Sequence, residues 1–318
     1  MIWLYILIFI ISCLALVRSG VWVTRSLTGI AQFLGWREFI LASVLMAFFT
    51  SLPELFIGVT AAFAQKPQLA LGVIIGSNII TLTFIIGVGT LLAGELKFES
   101  KTLQKSSFYA GIYGLLPLLL MFDGYVSRAD GVILLLALAF YFFQLFSHEE
   151  RFSRIFANHL KDGWVSLRKF LKDLAVFGGG ITLLLLSAQG IVFSASKIAL
   201  SFNLSLIVIG AIFVAIGTSI PEIVFEIKAI SMGHKKMILG NAMGSVVINS
   251  ALILGLMALI SPFQVSNFSP YLIGFIFIII TSFFFVIFSQ TDRKITSREA
   301  IFLIGVYFSF VIIELLLG

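Results

Sequence analysis

Charge is scarce in this chain. Of its 318 residues only 11% are Asp, Glu, Lys or Arg, and 60% are hydrophobic, where soluble domains carry about 25% and 45–50%. A soluble globular protein is excluded. Cysteine is almost missing: Cys13 stands alone, which rules out disulfides within the chain and cysteine-cluster metal sites. Histidine is confined to His148, His159 and His234, each between apolar runs, and every aspartate lies in or beside such a stretch. An intramembrane metalloprotease needs embedded histidines, a serine protease a Ser-His pair, and an aspartyl protease two embedded aspartates. None of these sets is available, so no enzyme is expected, and no cofactor.

What is abundant is apolar sequence long enough to span a bilayer, at about 20 residues per crossing. Such runs fall at 2–19, 39–64, 69–92, 106–122, 130–147, 174–200, 204–231, 237–260, 269–289 and 299–317. The expectation is an all-α integral membrane protein of ten transmembrane helices, with no room for a soluble catalytic domain. The first run is read as a span and not a cleavable signal, because Arg18 and Arg25 follow it instead of preceding it. Loops numbered alternately collect 17 of the 21 basic residues on one side: Arg18, Arg25, Arg37, Lys97, Lys101, Lys105, Arg151, Arg154, Lys161, Arg168, Lys169, Lys172, Lys235, Lys236, Arg293, Lys294 and Arg298. Cytoplasmic loops attract such an excess, which predicts both termini outside. The net charge of +6 therefore reflects orientation in the lipid bilayer, and nucleic acid is not an expected partner.

Polar residues inside these runs follow a repeat. At a constant offset of 168, Ala47–Leu92 aligns without a gap with Ala215–Ile260. The identities include Thr50/Thr218, Ser51/Ser219, Pro53/Pro221, Glu54/Glu222, Gly76/Gly244 and Ser77/Ser245, residue types that hydrophobicity alone does not supply. Each half holds five spans. Five is odd, so the second half enters the membrane from the opposite side, an inverted repeat of the kind that secondary transporters use around a midplane site. The expected division is residues 1–147 as the first five-helix repeat, 148–173 as a cytoplasmic linker and 174–318 as the second repeat. A carboxylate at the bilayer centre costs roughly 2.5–3.5 kcal/mol, so its duplication at equal depth argues for use. Carboxylates, hydroxyls and proline-freed carbonyls (Phe49 for Pro53, Gly217 for Pro221) form a hard-oxygen set suited to calcium, magnesium or sodium.

The two motifs, "TSLPE…GSNIIT" and "GTSIPE…GSVVIN", closely resemble the paired alpha-repeats of the cation/calcium exchanger superfamily, in particular the sodium/calcium exchangers. The resemblance spans the ten-helix architecture, with its specificity in about 90 residues. It implies a secondary antiporter exchanging calcium for sodium. It also implies that Glu54, Glu222, Thr50 and Thr218 bind calcium. Sodium then falls to Ala47, Ser51 and Ser77 on one side and to Ala215, Ser219 and Ser245 on the other. The alternatives are a proton-coupled calcium or cation exchanger, since protons would also discharge the glutamates, and a cation channel.

Three departures from that pattern matter. Phe49 stands where the family usually has glycine. Thr81 and Asn249 occupy positions where many microbial members have Asn and Asp, so a third central carboxylate is missing and the sodium ratio is left open. Glu226 lies one turn beyond Glu222, opposite Gly58 in the first repeat. It is read either as an interfacial partner of Lys228, Lys235 or a neighbouring helix, or as a vestibule cation site. Residues 151–171 have the spacing of an amphipathic helix on the inner leaflet. The short linker excludes large calcium-sensing domains and points to a prokaryotic plasma membrane. A monomer can suffice, because one chain carries both halves of the site.

Overall fold

The computed structural model describes residues 2–33, 46–147, 163–202, 204–231, 233–265 and 268–317. Arg37, His148, His159 and most of the 151–171 segment lie outside them. The described chain is helical apart from two ribbons of two-residue strands. We label the helices α1 (Ile2–Phe33), α2 (Leu52–Phe63), α3 (Pro67–Ala93), α4 (Lys101–Leu120), α5 (Arg128–Ser147), α6 (Gly163–Phe202), α7 (Leu206–Ser231), α8 (Lys235–Ile260), α9 (Ser269–Gln290) and α10 (Ser297–Leu317). Eight of them are long and apolar enough to cross a membrane. The other two are α2 and α4. α2 is a 12-residue helix that follows helical residues 46–50, and the first part of its apolar run lies outside the described set. α4 opens with Lys101, Gln104 and Lys105, which dilute its hydropathy.

Burial sorts the helices into an inner and an outer set. In α3, 94% of the apolar window is buried, against 22% in α1 and 28% in α5 and α10. Bulky apolar side chains such as Trp3, Leu14, Phe122 and Leu316 point outward, as a surface solvated by lipid requires. α1 lies along α6, while α3 packs against α7 and α9, and α8 against α4. The contact of α3 with α7 is backbone to backbone. A Cβ at Gly76 would be driven into the Ala211 carbonyl oxygen, so this crossing needs glycine beside Ser77.

Among the described residues three helical stretches are π-helical: Thr81–Ile85 in α3, Ile209–Val214 in α7 and Ile248–Ile253 in α8. The first and third fall at matching positions of the 168-residue offset, and they carry Thr81 and Asn249. π-turns are rare and concentrate at functional sites.

Each ribbon joins the two halves. β1 (Leu96–Lys97) pairs antiparallel with β4 (Lys294–Ile295), and β2 (Tyr125–Val126) with β3 (Phe263–Gln264). Beside the first ribbon Glu95 contacts Lys97 at 2.9 Å and Lys294 at 3.3 Å. Hydrogen bonds from these two lysines hold the Glu95 carboxyl below its usual range.

The turns after α2 and α7 are built alike. Lys66 N donates to Ala61 O and Gln65 N to Ala62 O, while His234 N donates to Ala229 O and Gly233 N to Ile230 O. Both are Schellman caps, and the cap residue is left-handed in each, Gln65 at φ 57° and Gly233 at φ 77°. A side chain costs about 1 kcal/mol in that region. Gly233→Gln is therefore expected to lower unfolding stability in detergent by about 1 kcal/mol. Gln65→Gly should raise it by less, since glycine also has more entropy to lose on folding. Thermal unfolding of the two variants checks the pair of signs.

Candidate cation site

The site is assembled from four helices. Glu54 comes from α2 and Glu222 from α7, while Ser77 and Thr81 come from α3 and Ser245 and Asn249 from α8. The two motifs differ locally. In the first, the helix breaks at Ser51 (φ −86°, ψ 3°) and restarts so that Pro53 falls in the first turn of α2. There its missing N–H is no loss. In the second, Pro221 sits inside a helix that continues from Ala215 to Ser231. One motif thus accommodates its proline at a helix start and the other within a helix.

All thirteen residues singled out by sequence are buried: Ala47, Thr50, Ser51, Glu54, Ser77, Thr81, Ala215, Thr218, Ser219, Glu222, Glu226, Ser245 and Asn249. Glu54 and Glu222 are each 1% exposed and close enough to act on one another electrostatically. Hydroxyls cross between the halves. Thr81 Oγ1 donates to Glu222 Oε2 at 2.9 Å, and Ser77 Oγ lies 3.4 Å from both Glu54 Oε1 and Thr218 Oγ1. Each glutamate keeps one oxygen unpaired, Oε2 of Glu54 and Oε1 of Glu222, and Ser51 Oγ and Ser219 Oγ make no hydrogen bond. Buried polar atoms are nearly always satisfied, so a concentration of free oxygens around a carboxylate pair fits a cation as the missing partner. Among the described residues no group of three His, Cys, Asp or Glu could hold a metal. Hydroxyl and carbonyl oxygens would have to complete any coordination.

The carbonyls expected to serve sodium are engaged. Ala47 O accepts from Ser51 N at 3.0 Å and lies 3.2 Å from Thr50 Oγ1, and Ala215 O accepts from Thr218 Oγ1 at 3.1 Å. Glu226 is buried one turn from Glu222, and no described ion pair reaches it. Lys235, one of its expected partners, donates to Ala93 O at 2.5 Å, and the Lys228 side chain lies outside the described set. Phe49 rests edge-on against Phe48.

Sequence reasoning missed two amides, Asn78 and Asn241, and a carboxylate. Asn241 Oδ1 stands 3.1 Å from Thr50 Oγ1. Asn78 Nδ2 donates to Ser250 Oγ at 2.7 Å, and Asn249 Nδ2 donates to Asn78 Oδ1 at 3.3 Å, which ties α3 to the π-stretch of α8. Asn78 and Asn241 align with Val246 and Val73, so the repeat comparison passed over them. The available signal was an amide inside an otherwise apolar run. Glu314, 1% exposed in α10 with Oε2 unpaired, gave the same signal.

The family model described as sodium/calcium exchanger protein matches residues 4–146 and 172–316. The sodium/calcium exchanger MaX1 of Methanosarcina acetivorans is 27% identical over 342 residues, covering 96% of this chain and 97% of that protein. The inner membrane protein YrbG of Escherichia coli K12 is 26% identical over 266 residues, 80% of each chain. Among solved structures, the sodium-calcium exchanger NCX_Mj soaked with sodium and calcium superposes with a TM-score of 0.66. It is 24% identical in sequence, with 98% of this chain and 99% of that one covered, which supports a shared fold. This is a family of membrane transporters and not of enzymes. A match over nearly the whole of both halves, on a fold shared end to end, makes this chain a multi-pass membrane member of the sodium/calcium exchanger family.

Proposed function

We propose that this protein is a secondary antiporter that exchanges calcium for sodium by alternating access at a site between its two halves. The observation that carries the reading is the buried Glu54–Glu222 pair with one unpaired oxygen on each carboxylate. Two ionised carboxylates in an apolar interior carry −2 when empty, a charge that resists exposure to the bilayer centre. One calcium neutralises it, and so do two sodium ions. Only loaded states then switch sides, which enforces exchange instead of leak.

In this reading Glu54, Glu222, Thr50 and Thr218 receive calcium. Sodium occupies two flanking positions, one at Ala47, Ser51 and Ser77 and the other at Ala215, Ser219 and Ser245. Thr81 donates to Glu222 and Asn249 keeps Oδ1 unpaired, so both border the centre without adding charge. The surrounding architecture is ten spans in two inverted repeats, 1–147 and 174–318, joined by the linker 148–173. Both termini lie outside, in a prokaryotic plasma membrane. The names of MaX1 and NCX_Mj support sodium and calcium as the exchanged ions.

Proteoliposomes loaded with sodium should take up calcium when the sodium gradient is imposed, and a pH gradient alone should not drive uptake. The opposite result would make protons the coupling ion. Glu54→Gln and Glu222→Gln should each lower calcium transport by about tenfold or more while the protein stays monodisperse, because one lost charge leaves a divalent ion unbalanced. Near wild-type transport in either variant would remove the paired-glutamate site. Three sodium ions against one calcium would move one net charge, so a potassium–valinomycin potential would change the uptake rate. A rate indifferent to that potential would argue for two sodium ions, or for protons.

A further inference from the structure

The carboxylate pair has a neighbour that the exchange reading does not use. Glu226 follows Glu222 by four positions, a spacing that puts both on one face of α7. It is 3% exposed, its Oε1 makes no hydrogen bond, and it lies within electrostatic reach of Glu222. Lys235 is engaged at Ala93, and Lys228 stands two positions away, a spacing that does not bring side chains together.

The wall facing Glu226 is cut back to receive it. Gly89 of α3 lies opposite, where a Cβ would come within 3.1 Å of Glu226 Oε2 and 3.4 Å of Ile238 Cγ2. Gly89 is one turn before Ala93, whose carbonyl anchors Lys235. Glu226 therefore sits one turn deeper than that anchor, between it and the central pair. At the Lys235 end lies a cavity of about 350 Å³ lined by Lys97, Lys235 and Lys236 together with Glu95 and Glu99, both of which are paired with lysines. Glu222 Oε2 is held by Thr81, while Oε1 makes no hydrogen bond and remains to be offered to an ion.

We infer that Glu222 and Glu226 together form a second cation station, which holds a divalent ion between the central pair and the Lys235 end of the path. An ionised carboxylate with no partner in an apolar interior is strongly disfavoured, and a cation removes that penalty. Two carboxylates on adjacent turns offer hard oxygens to calcium one turn short of the central pair. The first half has Gly58 at the equivalent position. The station therefore exists at one end only, and its influence is one-sided.

The inference rests on the transport reading, and sidedness separates the two. Calcium KM is measured at the face carrying Lys235 and at the opposite face, in vesicles of defined orientation, for the full chain and for Glu226→Gln. The variant is expected to raise KM at the Lys235 face by about fivefold to tenfold, shifting the ratio of the two KM values by the same factor, since one charge near the ion is lost. Gly89→Ala, which presses a methyl group against Glu226 Oε2, should shift the ratio in the same direction and serves if Glu226→Gln does not fold. A purely structural role for Glu226 would change both faces alike. A ratio within about twofold of the unmodified protein's in the variants that fold overturns the station. Failure of the unmodified protein to take up calcium would instead overturn the transport reading.

Discussion

The structure is organised around the cost of placing carboxylates where there is no water. An ionised group in an apolar interior is penalised by several kcal/mol unless something compensates it, and this chain buries Glu54 and Glu222 within electrostatic reach of one another, with Glu226 a turn from Glu222. The surrounding sequence mitigates that cost locally. Thr81 donates to one carboxylate and Ser77 reaches the other, both from α3, which glycine lets approach α7 backbone to backbone. The compensation is partial by construction. Free oxygens are left on both glutamates, and a site satisfied wholly by protein donors would have no need of an ion.

The same constraint explains the layering of the bundle. Helices bearing the carboxylate pair and its hydroxyls are wrapped by helices that add none of those groups, so α3 is nearly all buried while α1, α5 and α10 present apolar side chains outward. The burial of α3 and α8 follows from their Gly-Ser pairs, because small residues permit the close approach that excludes lipid from the hydroxyls.

Much of this was legible in the sequence because the chain states it twice. The offset of 168 residues singled out Glu54, Glu222 and their flanking hydroxyls, and the structure brings Ser77, Thr81, Thr218 and both glutamates within mutual reach. What occurs once was hidden. Asn78, Asn241 and Glu314 have no polar mates at the offset, so comparison of the halves could not flag them. The π-turns were invisible for another reason: they are a change of hydrogen-bond partner along the backbone, and residues such as Thr81–Ile85 have the composition of any buried helix. The break at Ser51 against the unbroken helix through Pro221 shows identical motifs resolved differently by their neighbours. The alternative anchor of Lys235 depended on Ala93, a carbonyl that no side-chain pattern advertises.

The two ribbons divide the molecule mechanically. Their strands lie between α3 and α4, α4 and α5, α8 and α9, and α9 and α10, and each ribbon takes one strand from each half. Six helices are thereby riveted into a chassis at both ends. The remaining four, α1, α2, α6 and α7, flank no ribbon, and they include the two that carry Glu54 and Glu222. The hydroxyls facing those glutamates from α3 and α8 belong to the chassis. In the proposed exchange, an ion between them would act as a coupling pin between a riveted body and an unriveted one.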